Sequence, residues 1–235
     1  YKRQRYGSVP ISVDDTSAKN VIGYVGVYIN KTDPAKVNSS YVIALGETYW
    51  AAEKAAKLIK VKWDKGPNAN VSSESIRQFA IMKISDNKSG AAFVKEGDFE
   101  TDFKNSQIKH EAVYETAIGY HGMMEPMNCV AEEKDGIWHL YTANQWQSRM
   151  IPMVASALGV EPETVIHHQQ YAGTGFGRRL EPDVAIPAAL ASQFIKRPVK
   201  LIYTREDDIR FNFNRTLTYQ VLKGGINFGK ITSLK

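Results

Sequence analysis

The sequence predicts an α+β fold in which helices and strands follow one another without a regular repeat. Short runs of β-branched and aromatic residues, separated by turn residues, indicate strands. Four longer segments with helical periodicity or high alanine content indicate helices. The 235 residues are 43% apolar and 11% aromatic, which is enough for a core in one large domain or two small ones.

Residues 1–66 are predicted to form a strand–strand–helix–strand unit. Its predicted strands are Val21–Ile29, Tyr41–Leu45 and Val61–Trp63, and its predicted helix is Glu47–Ile59. The helix is indicated by alanines and apolar residues at helical spacing. Ser12–Asp15 and Asp33-Pro34 are predicted to be turns.

Residues 67–108 are predicted to be a linker with one short helix, Ser72–Ile84, capped by Ser72 or Ser73. The rest of this segment is rich in Gly, Asp and Lys, which is typical of irregular surface structure. We therefore expect it to separate two structured regions.

Residues 109–235 are predicted to form the second structured region. The predicted strands are Lys109–Ala117, Ile137–Thr142, Thr164–Gln170, Pro198–Tyr203 and Tyr219–Leu222, and the predicted helices are Ser148–Leu158 and Val184–Ile195. Gly159 is a helix stop signal, and Pro187 either begins or kinks the second helix. Arg205–Asp208 is predicted to be a polar turn.

The sequence begins at Tyr1 without an initiator Met and ends at Lys235, soon after a hairpin strand that starts near Ile231. We predict the turn of this hairpin at Gly224-Gly225. A domain ending there would leave an unpaired strand edge, so we expect a piece of a longer or split protein. Neither end indicates a compartment.

Composition excludes several classes of site. The single cysteine, Cys129, rules out an internal disulfide, a Cys-based zinc finger and a Cys-ligated iron–sulfur cluster within these residues. The net charge of +5 and pI near 9.1 permit an anionic ligand or nucleic acid without requiring either. No apolar run approaches the ~20 residues of a membrane-spanning helix.

The most informative stretch is Tyr171-Ala-Gly-Thr-Gly-Phe-Gly-Arg-Arg179, between a predicted strand and a predicted helix. Glycines packed this densely indicate positive φ or a close approach to the backbone. Free N–H groups, a helix N-terminus and two cations would suit a bound anion. The spacing is not that of a P-loop, and the third Rossmann glycine would fall at Arg178. The alternative is a tight turn with exposed arginines.

Two further segments carry alternative functions. If residues 121–129 are extended, His121, Met123, Glu125, Met127 and Cys129 share one face, which is a donor set for Cu(I) or a methionine-filled core strand. Residues 148–172 have the spacing of a helix-turn-helix with its turn at Gly159. Residues 164–170 read equally well as a strand.

An amide-rich segment, residues 142–147, follows a predicted strand. Gln145 or Gln147 would donate a hydrogen bond to a ligand oxygen, or the segment would cap the next helix. Three histidines, His139, His167 and His168, alternate with apolar residues and have no ligand partner at a useful spacing, so we predict strand or surface histidines.

Taken in order, these motifs resemble the large subunit of the molybdenum hydroxylases, the superfamily of xanthine oxidase and aldehyde oxidoreductase. The isoquinoline 1-oxidoreductase type is the branch that the motifs match most. The motifs are Tyr49–Ala55, Val61–Asp64, His121–Cys129, Gln145, Ala157–Val160, Gly173–Arg179, Arg197–Lys200 and Thr204–Asp208. The resemblance implies a partial α/β hammerhead module at 1–66 and the first part of a molybdopterin-binding domain at 109–235.

The resemblance also implies roles for individual residues. Gln145 matches a glutamine that hydrogen-bonds an oxygen ligand of molybdenum, and Phe176 lies beside the metal. The cofactor-binding residues would be Gly173, Thr174, Gly175, Phe176, Gly177, Arg178 and Arg179. Thr174 stands where glycine is common, so we expect a negative φ there. Leu180 replaces a substrate-binding glutamate of xanthine oxidases, which disfavours purines.

The implied activity is hydroxylation of an aldehyde or N-heteroaromatic carbon with oxygen from water. The cofactor would be molybdenum–molybdopterin, as a cytosine dinucleotide. The implied partners are the rest of the large subunit, which carries the catalytic glutamate, and a small subunit with [2Fe–2S] clusters. We expect these residues alone to be inactive. We also expect Gln145 and the backbone of Gly173–Gly177 to converge on one cleft.

Overall fold

The computed structural model describes residues 7–31, 40–86, 90–210 and 213–235 and confirms the α+β class, with open sheets. The strands are β1 (Pro10–Asp14), β2 (Tyr24–Asn30), β3 (Tyr41–Gly46), β4 (Lys60–Trp63), β5 (Ile108–Thr116), β6 (Asn128–Lys134), β7 (Ile137–Thr142), β8 (Val165–Gln169), β9 (Val199–Ile202), β10 (Thr218–Asn227) and β11 (Lys230–Leu234). The helices are α1 (Tyr49–Leu58), α2 (Ser73–Ser85), α3 (Phe99–Lys104), α4 (Gln147–Leu158), α5 (Ala185–Ile195) and α6 (Arg205–Arg210).

Residue contacts divide the chain into two compact units. The first comprises residues 1–70 with 120–213, and the second comprises residues 71–119 with 214–235. This division does not follow the expected boundaries at 66 and 108, so the division into family domains stays a prediction. The predicted turn at Asp33-Pro34 lies outside the described residues.

The first unit is built around a four-stranded sheet in the order β8-β7-β6-β9. The β7–β8 pair is parallel and the other pairs are antiparallel. Alternate residues on one face are buried, among them Ala131, Trp138 and Leu140. Helices α4 and α5 cover that face and complete the core.

One face of helix α5 is fully buried, and its alanines Ala188, Ala189 and Ala191 let this face lie close to the sheet. Pro187 is its third residue and neither begins nor kinks it. The first-turn N–H groups of a helix have no intrahelical acceptor, so proline is tolerated there.

Two strand pairs, β1–β4 and β2–β3, complete the first unit. Helix α1 packs on β3 through Ala51 and Ala55, and the Thr48 hydroxyl accepts a hydrogen bond from the Ala51 N–H. The predicted turn at Ser12–Asp15 is wrong, since β1 occupies most of it. Most side chains of β1 are exposed, so the strand lacks the apolar alternation that would have indicated it.

The second unit is an antiparallel sheet in the order β11-β10-β5, with α2 against β10 and α3 against β11. Helix α3 was not predicted, because its six residues are too few and too polar to show a pattern. The hairpin turn lies at Phe228-Gly229 and not at Gly224-Gly225. Gly225 serves close packing instead, since a Cβ there would overlap the Ser106 side chain.

The predicted polar turn at 205–208 is also wrong, because these residues form most of helix α6. Within the described ranges, none of the helices combines the length and hydropathy that crossing a bilayer would require.

Candidate functional site

Parallel pairing of β7 and β8 creates the candidate site. Their register runs from Trp138 opposite Val165 to Thr142 opposite Gln169, so both strands end at the same edge of the sheet. The segment after β7 carries Gln145, and the segment after β8 carries the glycine-rich loop. Ligands in α/β sheets bind at the carboxyl ends of parallel strands for the same reason.

Gln145 contacts the loop directly, as expected. Its backbone N–H donates to the Arg179 carbonyl at 3.0 Å, and its Oε1 accepts from the Arg179 N–H at 3.2 Å. Since Oε1 is occupied, the exposed amide presents Nε2 as its donor end. Gln147 instead donates to the Asn144 carbonyl and to Gln169, which makes it part of the turn.

Gly173 and Gly175 are required by close packing and not by positive φ. A Cβ at Gly173 would overlap the Glu125 side chain, and a Cβ at Gly175 would lie 2.6 Å from the Gln145 Oε1. Only glycine lets the two side chains approach the loop this closely.

Two other loop residues have positive φ instead, with 70° at Thr174 and 52° at Phe176. The expectation of a negative φ at Thr174 is therefore wrong. Phe176 and Gly177, at φ 88°, form a turn of type I′ character closed by the Arg178 N–H on the Gly175 carbonyl. Each such non-glycine conformation costs about 1–3 kcal/mol and persists only where the surroundings enforce it.

The buried side chain of Arg179 holds the loop in this conformation. Its buried guanidinium donates from Nε to the Thr174 carbonyl at 2.8 Å and from Nη2 to Glu125 at 2.8–2.9 Å. Glu125 in turn accepts from the Gly173 N–H at 2.9 Å, and the Met124 N–H donates to the Thr174 hydroxyl. The loop is thus tied at both Gly173 and Thr174 to the segment before β6.

The surroundings of Glu125 change the pKa of its carboxyl group. Burial alone would raise the pKa of Glu125. The hydrogen bonds from the Gly173 N–H and the Asn128 amide, together with the charge of Arg179, lower this pKa below the ordinary 4.5. Glu125 is therefore a carboxylate at neutral pH, which is the form that Arg179 and Gly173 require.

Arg178 points into the protein as well. Its guanidinium forms a bidentate pair with Asp183 at 2.8 and 2.6 Å and lies near the buried carboxylate of Asp208. Burial opposes the charge, but Asp183 raises the pKa of Arg178 above its ordinary value. Neither arginine side chain reaches the open side of the loop, and α5 begins only at Ala185. The anion cradle of two arginines and a helix N-terminus is therefore wrong.

The loop backbone carries unpaired donors. The N–H groups of four consecutive residues have no acceptor within the described parts of the chain, and these residues are Thr174, Gly175, Phe176 and Gly177. The Phe176 side chain is 66% exposed beside them. A clamped loop with four adjacent unpaired donors fits an anionic or carbonyl-bearing ligand.

The chain matches a known family over most of its length. The family model of the molybdopterin cofactor-binding domain matches residues 84–235. The chain belongs to this family. The match begins inside α2, earlier than the predicted start at residue 109.

Curated relatives extend the family match to residues before 84. A membrane-bound aldehyde dehydrogenase [pyrroloquinoline-quinone] of Gluconacetobacter polyoxogenes is 39% identical over 218 residues, which is 92% of this chain and 28% of the relative. The isoquinoline 1-oxidoreductase subunit beta of Brevundimonas diminuta is 27% identical over the same shares. The chain thus spans less than a third of these relatives, and the predicted resemblance to molybdenum hydroxylases is confirmed.

Solved structures show the same fold. Quinoline 2-oxidoreductase from Pseudomonas putida 86 superposes with a TM-score of 0.75 at 18% identity, over 99% of this chain and 34% of that one. The aldehyde oxidoreductase of Desulfovibrio gigas gives a TM-score of 0.74 at 17% identity, over 96% and 29%. The molybdopterin-binding family and its fold are therefore both established for this chain.

The helix-turn-helix interpretation is wrong. Residues 165–169 form strand β8 inside the sheet, so no recognition helix follows Gly159. Gly159 instead ends α4 in the left-handed conformation, which is its ordinary role as a helix stop.

The copper interpretation has no support in the geometry. Residues 121–127 are irregular, and Met123, Met127 and Cys129 lie in the core. Burial raises the pKa of the Cys129 thiol to about 12, so the free thiol stays protonated at neutral pH. Within the described ranges, no three His, Cys, Asp or Glu residues are placed to hold a metal ion.

Sequence reasoning missed Glu125, Asp183 and Asp208 as the partners of the two arginines. Glu125 is 54 positions from Arg179, and no local pattern signals that pairing. The only available signal was the position of Glu125 within the family-like motif at 121–129.

A separate groove of about 780 Å³ lies between α1 and β3 on one side and β9 and α6 on the other. Its lining includes the Glu47–Arg197 ion pair at 3.0 Å and none of the predicted site residues. We therefore place the candidate site at the glycine loop and not in this groove.

Proposed function

We propose that this chain is the part of a larger oxidoreductase that holds molybdopterin on the open side of the loop Gly173–Gly177. The observation that carries the proposal is the row of four unpaired N–H groups on a loop clamped by Arg179 and Glu125. The donors suit phosphate and pterin carbonyl oxygens, so the residues present fit this group.

The residues of this chain would bind and orient the cofactor. The loop backbone would donate to the cofactor, and the Gln145 Nε2 would donate to an oxygen on its metal side. The exposed Phe176 ring would cover that side and exclude water. When bound, the cofactor supplies hydroxylation of an aldehyde or N-heteroaromatic carbon with oxygen derived from water.

The proposal includes partners. The rest of the large subunit would supply the catalytic glutamate and most contacts to a cytosine dinucleotide form of the cofactor. A separate small subunit would carry [2Fe–2S] clusters. The family relationship and the 28% coverage of the relatives support a larger assembly. The buried thiol of Cys129 offers no cluster ligand of its own.

Cofactor analysis of the full-length protein tests the proposal. We expect about one molybdenum and one pterin per large subunit by elemental analysis and fluorescence of the released pterin. One relative carries pyrroloquinoline-quinone in its name, so the quinone is assayed in parallel. Stoichiometric quinone without molybdenum would overturn the proposal.

The isolated 235 residues give a second test. We expect no turnover of an aldehyde or an N-heterocycle by this piece, because the proposed glutamate and electron acceptors lie elsewhere. Turnover without another subunit would contradict the division of the site between chain segments.

A further inference from the structure

Two imidazoles meet on the open face of the four-stranded sheet. His139 lies on β7 and His168 on β8, and the His139 Nδ1 and His168 Nε2 are 2.9 Å apart. The expectation from the sequence, that these histidines lack a ligand partner, overlooked this cross-strand approach over 29 positions. Both side chains are half-buried on the face opposite α4 and α5.

Neighbouring side chains hold the two rings in place. The Tyr141 ring stacks on His168 with centroids 4.4 Å apart and planes at 10°. The two imidazoles lie edge to edge, with centroids 5.2 Å apart and planes at 25°. The Tyr141 hydroxyl donates to the Glu132 Oε1 at 3.2 Å. The Glu132 carboxylate also pairs with Lys134 at 2.8 Å, and Glu132 lies opposite His139 in the β6–β7 pair.

The positions of the nitrogens suit a metal ion. Imidazole nitrogens bind zinc at about 2.0–2.1 Å, so two nitrogens on a tetrahedral ion lie about 3.3 Å apart. The observed 2.9 Å needs a widening of roughly 0.4 Å by that geometry, and each ring must also turn by roughly 35°, because the two nitrogens now point at each other.

We infer that His139 and His168 form a two-histidine site for a borderline divalent ion such as Zn²⁺, Ni²⁺ or Cu²⁺. The ion takes the place of the shared proton, and the imidazole that donated that proton carries it on its other ring nitrogen. Since no third His, Cys, Asp or Glu completes the set within the described ranges, water fills the remaining positions. The site uses no residue proposed for molybdopterin and is independent of that function.

Copper titration of the full-length protein tests the inference. We expect Cu²⁺ electron paramagnetic resonance to show two nitrogen ligands in the wild type and one in His139→Gln or His168→Gln. Each variant should bind the ion at least about tenfold more weakly, because loss of even a ligand's hydrogen-bonding partner typically costs about 10- to 100-fold.

Two other histidines provide matched controls. His167→Gln removes a ring from the same strand whose Nε2 faces the Thr142 carbonyl, and His110→Gln removes an exposed ring on β5. Both controls should keep wild-type affinity. Equal affinity in His139→Gln and the wild type would overturn the inference.

A second measurement covers variants that fail to fold. In the wild-type protein, saturating Zn²⁺ should protect His139 and His168, but not His110, from modification by diethyl pyrocarbonate. Equal modification of all three with and without the ion would overturn the inference in the same way.

Discussion

The two sides of the glycine loop differ in how their polar groups are satisfied. On the inner side, Arg178 and Arg179 are buried and paired with Asp183 and Glu125. On the open side, four consecutive N–H groups have no acceptor among the described residues. The charges of the motif therefore build the scaffold, and its uncharged backbone forms the binding side.

The strained backbone of the loop can be compared in energy with the ion pairs beneath it. Two positive-φ residues, Thr174 and Phe176, together cost roughly 2–6 kcal/mol. Breaking a buried ion pair by removing one partner costs about 3–5 kcal/mol, which applies to Arg178–Asp183, whereas the Glu125 side chain in the second pair is 40% exposed. The Arg179 guanidinium holds the strained segment through the Thr174 carbonyl and Glu125, so the loop is presented to a ligand in a preformed conformation.

Removing the buried charge of Arg178 or Arg179 should have the largest effect on the free energy of unfolding. Arg178→Met leaves the largely buried carboxylates of Asp183 and Asp208 without their partner, so we expect about 3–5 kcal/mol of destabilisation. Arg179→Met should cost less, because the Glu125 side chain is 40% exposed and water screens its charge.

The matched control is Arg149→Met, whose pair with Glu181 at 3.0 Å is partly exposed and should contribute at most about 1 kcal/mol. Thermal unfolding of the full-length protein measures all three. An equal effect in all three variants would erase the distinction between the inner side and the surface.

Low pH should reduce the stabilisation that the Glu125 carboxylate gives to the folded protein. Its folded pKa lies below the ordinary value, so its stabilisation is complete above about 4.5 and is lost as the pH falls through the folded value. We expect the difference in Tm between wild type and Glu125→Gln to be largest at neutral pH and to shrink below about pH 4.5. A difference that stays constant into that acid range would show that the charge of Glu125 contributes nothing.

The smallest effect on stability is expected from a substitution at Thr174, one of the two strained loop residues. Thr174→Gly relieves the positive φ but removes the hydroxyl that accepts from the Met124 N–H at 3.2 Å. The relief, the lost hydrogen bond and the added chain entropy each amount to about 1 kcal/mol, so we expect a net change within about 1 kcal/mol. A loss above about 3 kcal/mol by calorimetry would mean that the hydroxyl, and not Arg179, holds the loop.

Sequence reasoning succeeded where patterns are local. Helices α1, α2, α4 and α5 were found within two residues at each end, because caps, stop signals and alanine content specify them. The contact between Gln145 and the loop followed from order along the family motif. The exposed strand β1 and the short helix α3 carried no periodic signal.

The directions of the two arginines were beyond local reasoning. Neighbouring residues in an irregular loop point wherever their partners lie. Glu125 is 54 positions away from Arg179, and although Asp183 is only 5 positions away from Arg178, no repeating pattern in an irregular segment signals their pairing. The positive φ at Thr174 depends on the same partners. A pattern of glycines and arginines therefore predicts a functional loop without showing which side of it binds.

One comparison tests the central claim, that the open backbone of the loop holds molybdopterin. Gly175→Ala places a Cβ 2.6 Å from the Gln145 Oε1 and must displace that side chain or the loop, whereas Gly26→Ala on β2 meets no atom within 4 Å. Molybdenum and pterin contents are measured for both purified full-length variants, with folding checked by circular dichroism. We predict that a folded Gly175→Ala protein loses most of its cofactor and that Gly26→Ala retains it. Equal, stoichiometric cofactor in both proteins would contradict the claim.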